Sequence, residues 1–215
     1  MTAISAPFRH ATRSSLDAWR NAALVSAGLA AVTVARWAAT RAGLDALAVG
    51  AVFGLALLLL AAPGPGDRAL ATRVTRIDRG QLSRAVVIGV VVGLSLVAAA
   101  VIGPVLGGST RIPGLGRPDL AFLPWALVTI LVASAEEAVL RGVLFDRVAR
   151  VGGTPLAIAV TTVAFALLHV PLYGWHVVPL DLAVGLGLGG LRVATRSVAA
   201  PAAAHAIADL ATWWL

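Results

Sequence analysis

Cysteine and lysine are both absent from this 215-residue chain, and glutamate occurs only as the pair Glu136-Glu137. The missing cysteine removes disulfides, thiolate metal sites and cysteine nucleophiles together. The missing lysine leaves all 17 basic side chains as arginine, a usage that, with the abundant alanine, points to a GC-rich bacterial genome. Charge is scarce: charged residues make up 13% of the chain and hydrophobic residues 59%. A soluble domain of this length has too little interior to hide that much apolar surface, so lipid must be the solvent. Neither an H-E-x-x-H helix nor a G-x-S-x-G elbow is present, which takes away the residues of a zincin or a serine nucleophile.

What is there is a series of apolar runs. Length accommodates about seven spans of ~20 residues at about 1.5 Å rise per residue. The runs are Asn21–Ala35, Leu44–Ala62, Ala85–Leu106, Leu120–Leu140, Thr154–Leu172, Val177–Leu191 and Val198–Leu215. The third carries no charge over its whole length, while the first, sixth and seventh are weaker, so six spans remain admissible. The expected fold class is all-α, a polytopic membrane helix bundle of about seven transmembrane helices. Pro63-Gly64-Pro65-Gly66, Gly107-Gly108 and Gly152-Gly153 break the chain between runs. Gly89/Gly93 and Gly185/Gly189 have the spacing of small-x-x-x-small helix contacts. The Gly185–Gly190 cluster lacks the preceding strand of a nucleotide loop and reads as helix packing. Three regions follow: a cytoplasmic tail over 1–20, N-terminal membrane helices over 21–119, and a helical core over 120–215.

Arginine placement sets a direction. With the N-terminus in the cytoplasm, Arg9, Arg13, Arg20, Arg68, Arg73, Arg76, Arg79, Arg84, Arg141, Arg147, Arg150, Arg192 and Arg196 fall on or near the cytoplasmic side. Only Arg36, Arg41, Arg111 and Arg117 fall opposite, a strong positive-inside bias. The +7 formal charge therefore reads as topology, not as a nucleic-acid surface. A basic N-terminus before an apolar run also fits a signal peptide, but six further runs favour an uncleaved first span.

Ionisable side chains inside a span cost roughly 2.5–3.5 kcal/mol each on insertion scales and mark function by default. Those within the runs are Glu136, Glu137 and Arg141 on the fourth, His169 on the fifth, Asp181 on the sixth, and His205 and Asp209 on the seventh. Helical rise places Glu136 about 21 Å back from Arg150 and His169 about 22 Å beyond Thr154. From Arg196, His205 and Asp209 lie about 13 and 20 Å along. Helices of alternating direction thus bring these groups to nearly one layer. Each also has a structural reading. An intramembrane histidine can be a plain interhelical partner. His205 and Asp209 can bond each other, and Glu137 can pair with Arg141, both at i,i+4. Glu136, about 100° around the helix from Glu137, is then the carboxylate left over. Asp181, two residues after Pro179, reads as a helix-start cap. His176 sits with Tyr173 and Trp175 in a short connection that reads as an interfacial belt. Gly64-Pro65-Gly66-Asp67 resembles the G-x-G-D of intramembrane aspartyl proteases but reads as a turn.

Taken in order, the motif residues resemble the CPBP family of CAAX proteases and bacteriocin-processing enzymes, also called Abi. E-E-x-x-x-R is Glu136-Glu137-Ala138-Val139-Leu140-Arg141, F-x-x-x-H is Phe165-Ala166-Leu167-Leu168-His169, and H-x-x-x-N is met by His205-Ala206-Ile207-Ala208-Asp209. The third carries aspartate where asparagine is usual. The resemblance spans about Phe122 to Trp214 and implies an intramembrane endopeptidase. Its substrate would be a membrane-associated peptide or protein, of CAAX type or a leader or signal peptide. It also implies Glu136, Glu137, Arg141, His169, His205 and Asp209 as the catalytic set. In one mechanism Glu136 takes a proton from water, His169 orients it, and His205 with residue 209 stabilises the oxyanion. In the other, Glu136, His169 and His205 hold a divalent metal such as zinc. Both stay open, as does the cofactor.

An ionised Asp209 accepts hydrogen bonds and would repel an oxyanion. It would have to be protonated, orient His205, ligate a metal, or lower activity. Rival functions are a non-catalytic membrane partner or bacteriocin-immunity protein, with the polar cluster as a clamp, and a proton-coupled carrier, which would usually show paired repeats. The expected setting is the cell membrane, multi-pass, with the N-terminus and access to the site both cytoplasmic.

Overall fold

A computed structural model of the chain describes residues 13–62, 79–107 and 121–214. The Pro63-Gly64-Pro65-Gly66 break, Gly108, Asp67, His10 and the arginines Arg9, Arg68, Arg73, Arg76, Arg111 and Arg117 lie outside these residues. The described elements are all helical: α1 (Arg13–Arg41), α2 (Ala46–Ala61), α3 (Arg79–Gly107), α4 (Phe122–Glu137), a π-helical stretch (Ala138–Leu144), α5 (Phe145–Tyr173), α6 (Val178–Thr195) and α7 (Ala199–Ala211). Asp45 starts α2 by accepting the Ala48 N–H at 2.8 Å, which satisfies one donor of its open first turn. α5 is two helices joined at Gly153, whose φ of 79° and ψ of 171° interrupt the α conformation. A side chain there would meet the steric barrier to positive φ, so glycine is needed for the chain to reverse.

Among the described residues, Leu16–Arg41, Arg79–Ile102, Phe122–Tyr173 and Trp175–Thr195 are long and apolar enough to cross a membrane, and Ala46–Ala61 is a shorter apolar helix. The 52-residue segment Phe122–Tyr173 contains the Gly153 turn and so spans the fourth and fifth apolar runs together. Large apolar side chains face outward along the bundle, Val52, Leu59, Val91 and Leu123 among them. In water such a surface would be a severe cost; in lipid it is the expected exterior. With these spans the chain is a multi-pass, all-α membrane protein.

One buried apolar core runs through the bundle, from Val25 and Leu29 on α1 and Leu57 on α2 to Leu140, Leu188 and Ala204. α3 lies on α7, α2 on α4, and α5 between α1 and α6. Both glycine pairs sit at close contacts. A Cβ on Gly89 would run into the Ala200 carbonyl, and one on Gly93 would press on Ala204 and Ile207. Gly185 and Gly189 lie against Thr162 and Ile158 of α5. Lipid gives helices no hydrophobic reason to associate, so backbone approach and dispersion contacts at such positions hold them together. α2 and α4 run parallel, as do α3 and α7, which leaves the bundle with two chemically distinct ends.

Candidate active site

The α4 helix does not continue regularly toward Arg150. Instead the helix widens to π geometry immediately after Glu137. The cause is local. In an α-helix the Arg141 carbonyl would accept the Phe145 N–H, but here it accepts from Arg192 Nε of α6 at 2.9 Å. The Phe145 N–H bonds back to Leu140 and Gly142 instead. Single-turn π segments recur at functional sites because they re-aim the side chains around them. Arg192 also donates to Asp146 at 3.0 Å, which fixes α6 across the widened turn.

Arg141, with no exposed surface, donates to Glu137 Oε1 at 2.7 Å and to the Gly185 carbonyl of α6 at 3.0 Å. Its guanidinium carbon lies 4.8 Å from the centre of the Phe165 ring, a cation–π distance. The same ring meets His169 edge-on at 4.7 Å and His205 at 5.3 Å. Phe165 is therefore the apolar hub that spaces the arginine and both imidazoles. Positions 165, 169 and 173 follow at four-residue intervals on one face of α5, and Tyr173 stacks on His169 at 5.8 Å.

The two histidines are oriented alike. His169 Nδ1 lies 2.9 Å from the Phe165 carbonyl, which can only accept, so Nδ1 carries the proton and Nε2 is turned away. His205 Nδ1 lies 3.1 Å from Glu137 Oε1 in the same donor arrangement. Its Nε2 faces Glu136 Oε2 at 3.9 Å and Asp209 Oδ2 at 3.4 Å. Glu136 is buried and, among the described residues, makes no direct hydrogen bond. Its nearest ionic partners are His205 and Arg36 Nη1, each 3.9 Å away. His169 and Asp209 also lie within electrostatic reach of it.

The structure thus gathers Glu136, Glu137, Arg141 and His205 into direct contact, with Asp209 against His205 and His169 across the Phe165 ring. Three neighbours escaped sequence reasoning. Asp181 is no cap: the start of α6 has no side-chain cap bond, and Asp181 Oδ2 instead lies 3.6 Å from His169 Nδ1. Its depth in the span matches His169, a signal the preceding Pro179 obscured. Arg36, counted from sequence only for topology, lies inside α1, its guanidinium over the Phe53 ring at 4.5 Å and turned toward Glu136. Its place five residues before the helix end was the available signal. Tyr173 belongs to the α5 face below His169, not only to an interfacial belt. Arg141 likewise leaves the tally of arginines at the cytoplasmic side, since it is wholly internal.

Solvent reaches the cluster from one end. Side-chain exposure is 0% for Glu137 and Arg141 and 2% for Glu136, but 15% for Asp181, 16% for His169, 19% for Arg36 and 43% for Asp209. The exposed members lie near the ends of α1, α5 and α7 and the start of α6. Under the orientation expected from the arginines this is the end opposite to the cytoplasmic access expected from sequence.

As a metal centre the residues do not fit as arranged. Among the described residues no group of three or more His, Asp or Glu side chains is placed to hold an ion. Glu136 and the two Nε2 atoms are suitable donors by chemistry, but they do not converge.

Comparison with curated proteins and with solved structures gave no match. Residues 118–211 match the family model described as Rce1-like, type II CAAX prenyl endopeptidase. That segment carries every residue of the cluster except Arg36, and over it the chain is similar to the CPBP, or CAAX-protease, family of membrane endopeptidases.

Proposed function

We propose that the cluster hydrolyses a peptide bond of a membrane-associated substrate by water activated at Glu136, with the N-terminus of the protein in the cytoplasm. The observation that carries this reading is the contrast between the two glutamates. Glu137 is tied to Arg141 and His205, whereas Glu136 faces Arg36 and His205 at 3.9 Å, too long for direct hydrogen bonds, so its oxygens keep their accepting capacity for a reactant water. A buried carboxylate whose hydrogen-bonding capacity is uncommitted is placed for general-base work.

Glu136 takes a proton from that water as the oxygen attacks the peptide carbonyl. Developing charge on the carbonyl oxygen is met by the cationic and N–H groups around it, with Arg36 and His205 the nearest. Glu136 then returns the proton to the leaving amine. His205 keeps its orientation through the Nδ1 bond to Glu137, and Glu137 through Arg141. Asp209, beside His205 Nε2, acts by orienting that ring. His169 is steadied by its bond to the Phe165 carbonyl and borders the same space.

Glu136→Gln is nearly isosteric and tests this. The variant is expected to accumulate in membranes at wild-type level while release of a processed peptide falls by about 10²–10⁴-fold. Undiminished processing would sink the general-base role. The complete burial of the Glu137–Arg141–Gly185 connection favours a second role for that part alone, a clamp between α4 and α6.

A further inference from the structure

The ends of the bundle differ in charge and in how they close the cluster. At the end formed by the starts of α1 and α3, the α4–α5 junction and the close of α6 stand Arg20, Arg79, Arg84, Arg147, Arg150, Arg192 and Arg196. At the other end Arg41 is the sole described arginine outside the cluster. Arginine is retained on the cytoplasmic side during insertion, so the first end is the cytoplasmic one. Toward it the cluster is sealed. From the glutamates toward that end the chain runs through Val139, Leu140, Arg141, Leu144 and Val148, all buried. Toward the other end the polar groups become accessible, and that end is ringed by aromatics. Phe122, Trp125, Trp213 and Trp214 pack together at centroid distances of 4.9–6.1 Å, and Trp175 and Tyr173 are exposed. Such a ring sits at the headgroup level of a bilayer.

We propose that the site opens to the extracytoplasmic face, and that its substrate is a membrane-tethered peptide segment on that side, not a cytosolic prenylated tail. The substrate class rests on the proteolytic reading above; the direction of opening does not. An extended segment lying along the headgroups would meet the Tyr173–Trp175 edge. It would then descend between Arg36 on one side and Asp181 and Asp209 on the other to reach Glu136.

Because the chain has no cysteine, single cysteines report without background. The full-length protein would carry Ala42→Cys just beyond α1, Tyr173→Cys at the mouth, or Arg150→Cys at the arginine-rich end. Intact cells would then meet a membrane-impermeant maleimide. Labelling of Ala42→Cys and Tyr173→Cys in intact cells, with Arg150→Cys labelled only after permeabilisation, is the expected pattern. The reverse pattern overturns the proposal, and so does an unreactive Tyr173→Cys beside a reactive Ala42→Cys. A second arm gives acylated, charged fluorogenic peptides that cannot cross the bilayer to right-side-out and inside-out vesicles. Cleavage confined to right-side-out vesicles supports the assigned substrate side, and cleavage confined to inside-out vesicles refutes it. Cleavage in neither, with labelling as expected, counts against the proteolytic reading and leaves the direction of opening intact.

Discussion

Glu136 and Glu137 are adjacent in the chain and both almost wholly buried, yet they belong to contrasting halves of the cluster. On the closed side, Glu137 Oε1 accepts from Arg141 and His205, so three elements meet at one carboxylate oxygen, and Arg141 reaches on to the Gly185 carbonyl of a fourth. On the open side, Glu136 has ionic neighbours on α1 and α7 but no bond shorter than 3.9 Å among the described residues. Burial is the same, so burial does not separate a structural carboxylate from a reactive one. The number of partners already committed does. A charge whose hydrogen-bonding capacity is spent on neighbouring helices holds the fold, while one surrounded at a distance keeps that capacity for a reactant.

The contrast can be broken from either side. The largest expected effect is the loss of about 10²–10⁴-fold in hydrolysis for Glu136→Gln without loss of folded protein. On the closed side Arg141→Ala would leave Glu137 uncompensated. Removing one partner of a buried pair costs about 3–5 kcal/mol. The variant should accumulate poorly and melt at markedly lower temperature in detergent, and normal accumulation would show that the clamp is dispensable. Gly89→Val tests the α3–α7 contact behind the cluster. It should destabilise by about 1–3 kcal/mol through overpacking, seen as a lowered melting temperature. Arg36→Gln should leave melting nearly unchanged but slow hydrolysis about tenfold, or about 1.4 kcal/mol of transition-state stabilisation. A matching loss of stability would make Arg36 part of the clamp instead. The smallest effect belongs to Asp209→Asn. Its neighbour His205 is already held through Nδ1, so hydrolysis should be retained or raised, and complete loss with intact folding would show that a carboxylate is required there.

Much of the site was legible because polar residues are so costly in an apolar chain that each one stands out. Glu136, Glu137, Arg141, His169, His205 and Asp209 could be singled out by type, and i,i+4 spacing paired Glu137 with Arg141. Asp181 and Arg36 were misplaced for the same reason as each other. Each sits within two turns of a helix end, where the sequence reads equally as a cap or a loop charge. Only the packing of α6 and α1 against the motif helices turns them toward His169 and Glu136. The π segment was invisible as well, since it arises when a side chain on α6 takes the Arg141 carbonyl, an event with no local trace in Ala138–Leu144.

From the sequence alone came the solvent, the helical class, the break at Gly152-Gly153 and the depth of the motif residues. These follow from composition, hydrophobic run length and a fixed rise per residue, all of them local quantities. Azimuth, partner and opening were settled by tertiary packing, because rotation of a helix about its axis changes none of those quantities. Glycines at 89, 93, 185 and 189 let backbones close to contact, and that contact determines which face of each helix meets the cluster. The same packing seals Arg141 in while leaving Asp209 exposed, so the direction from which solvent reaches Glu136 is a property of the assembled bundle.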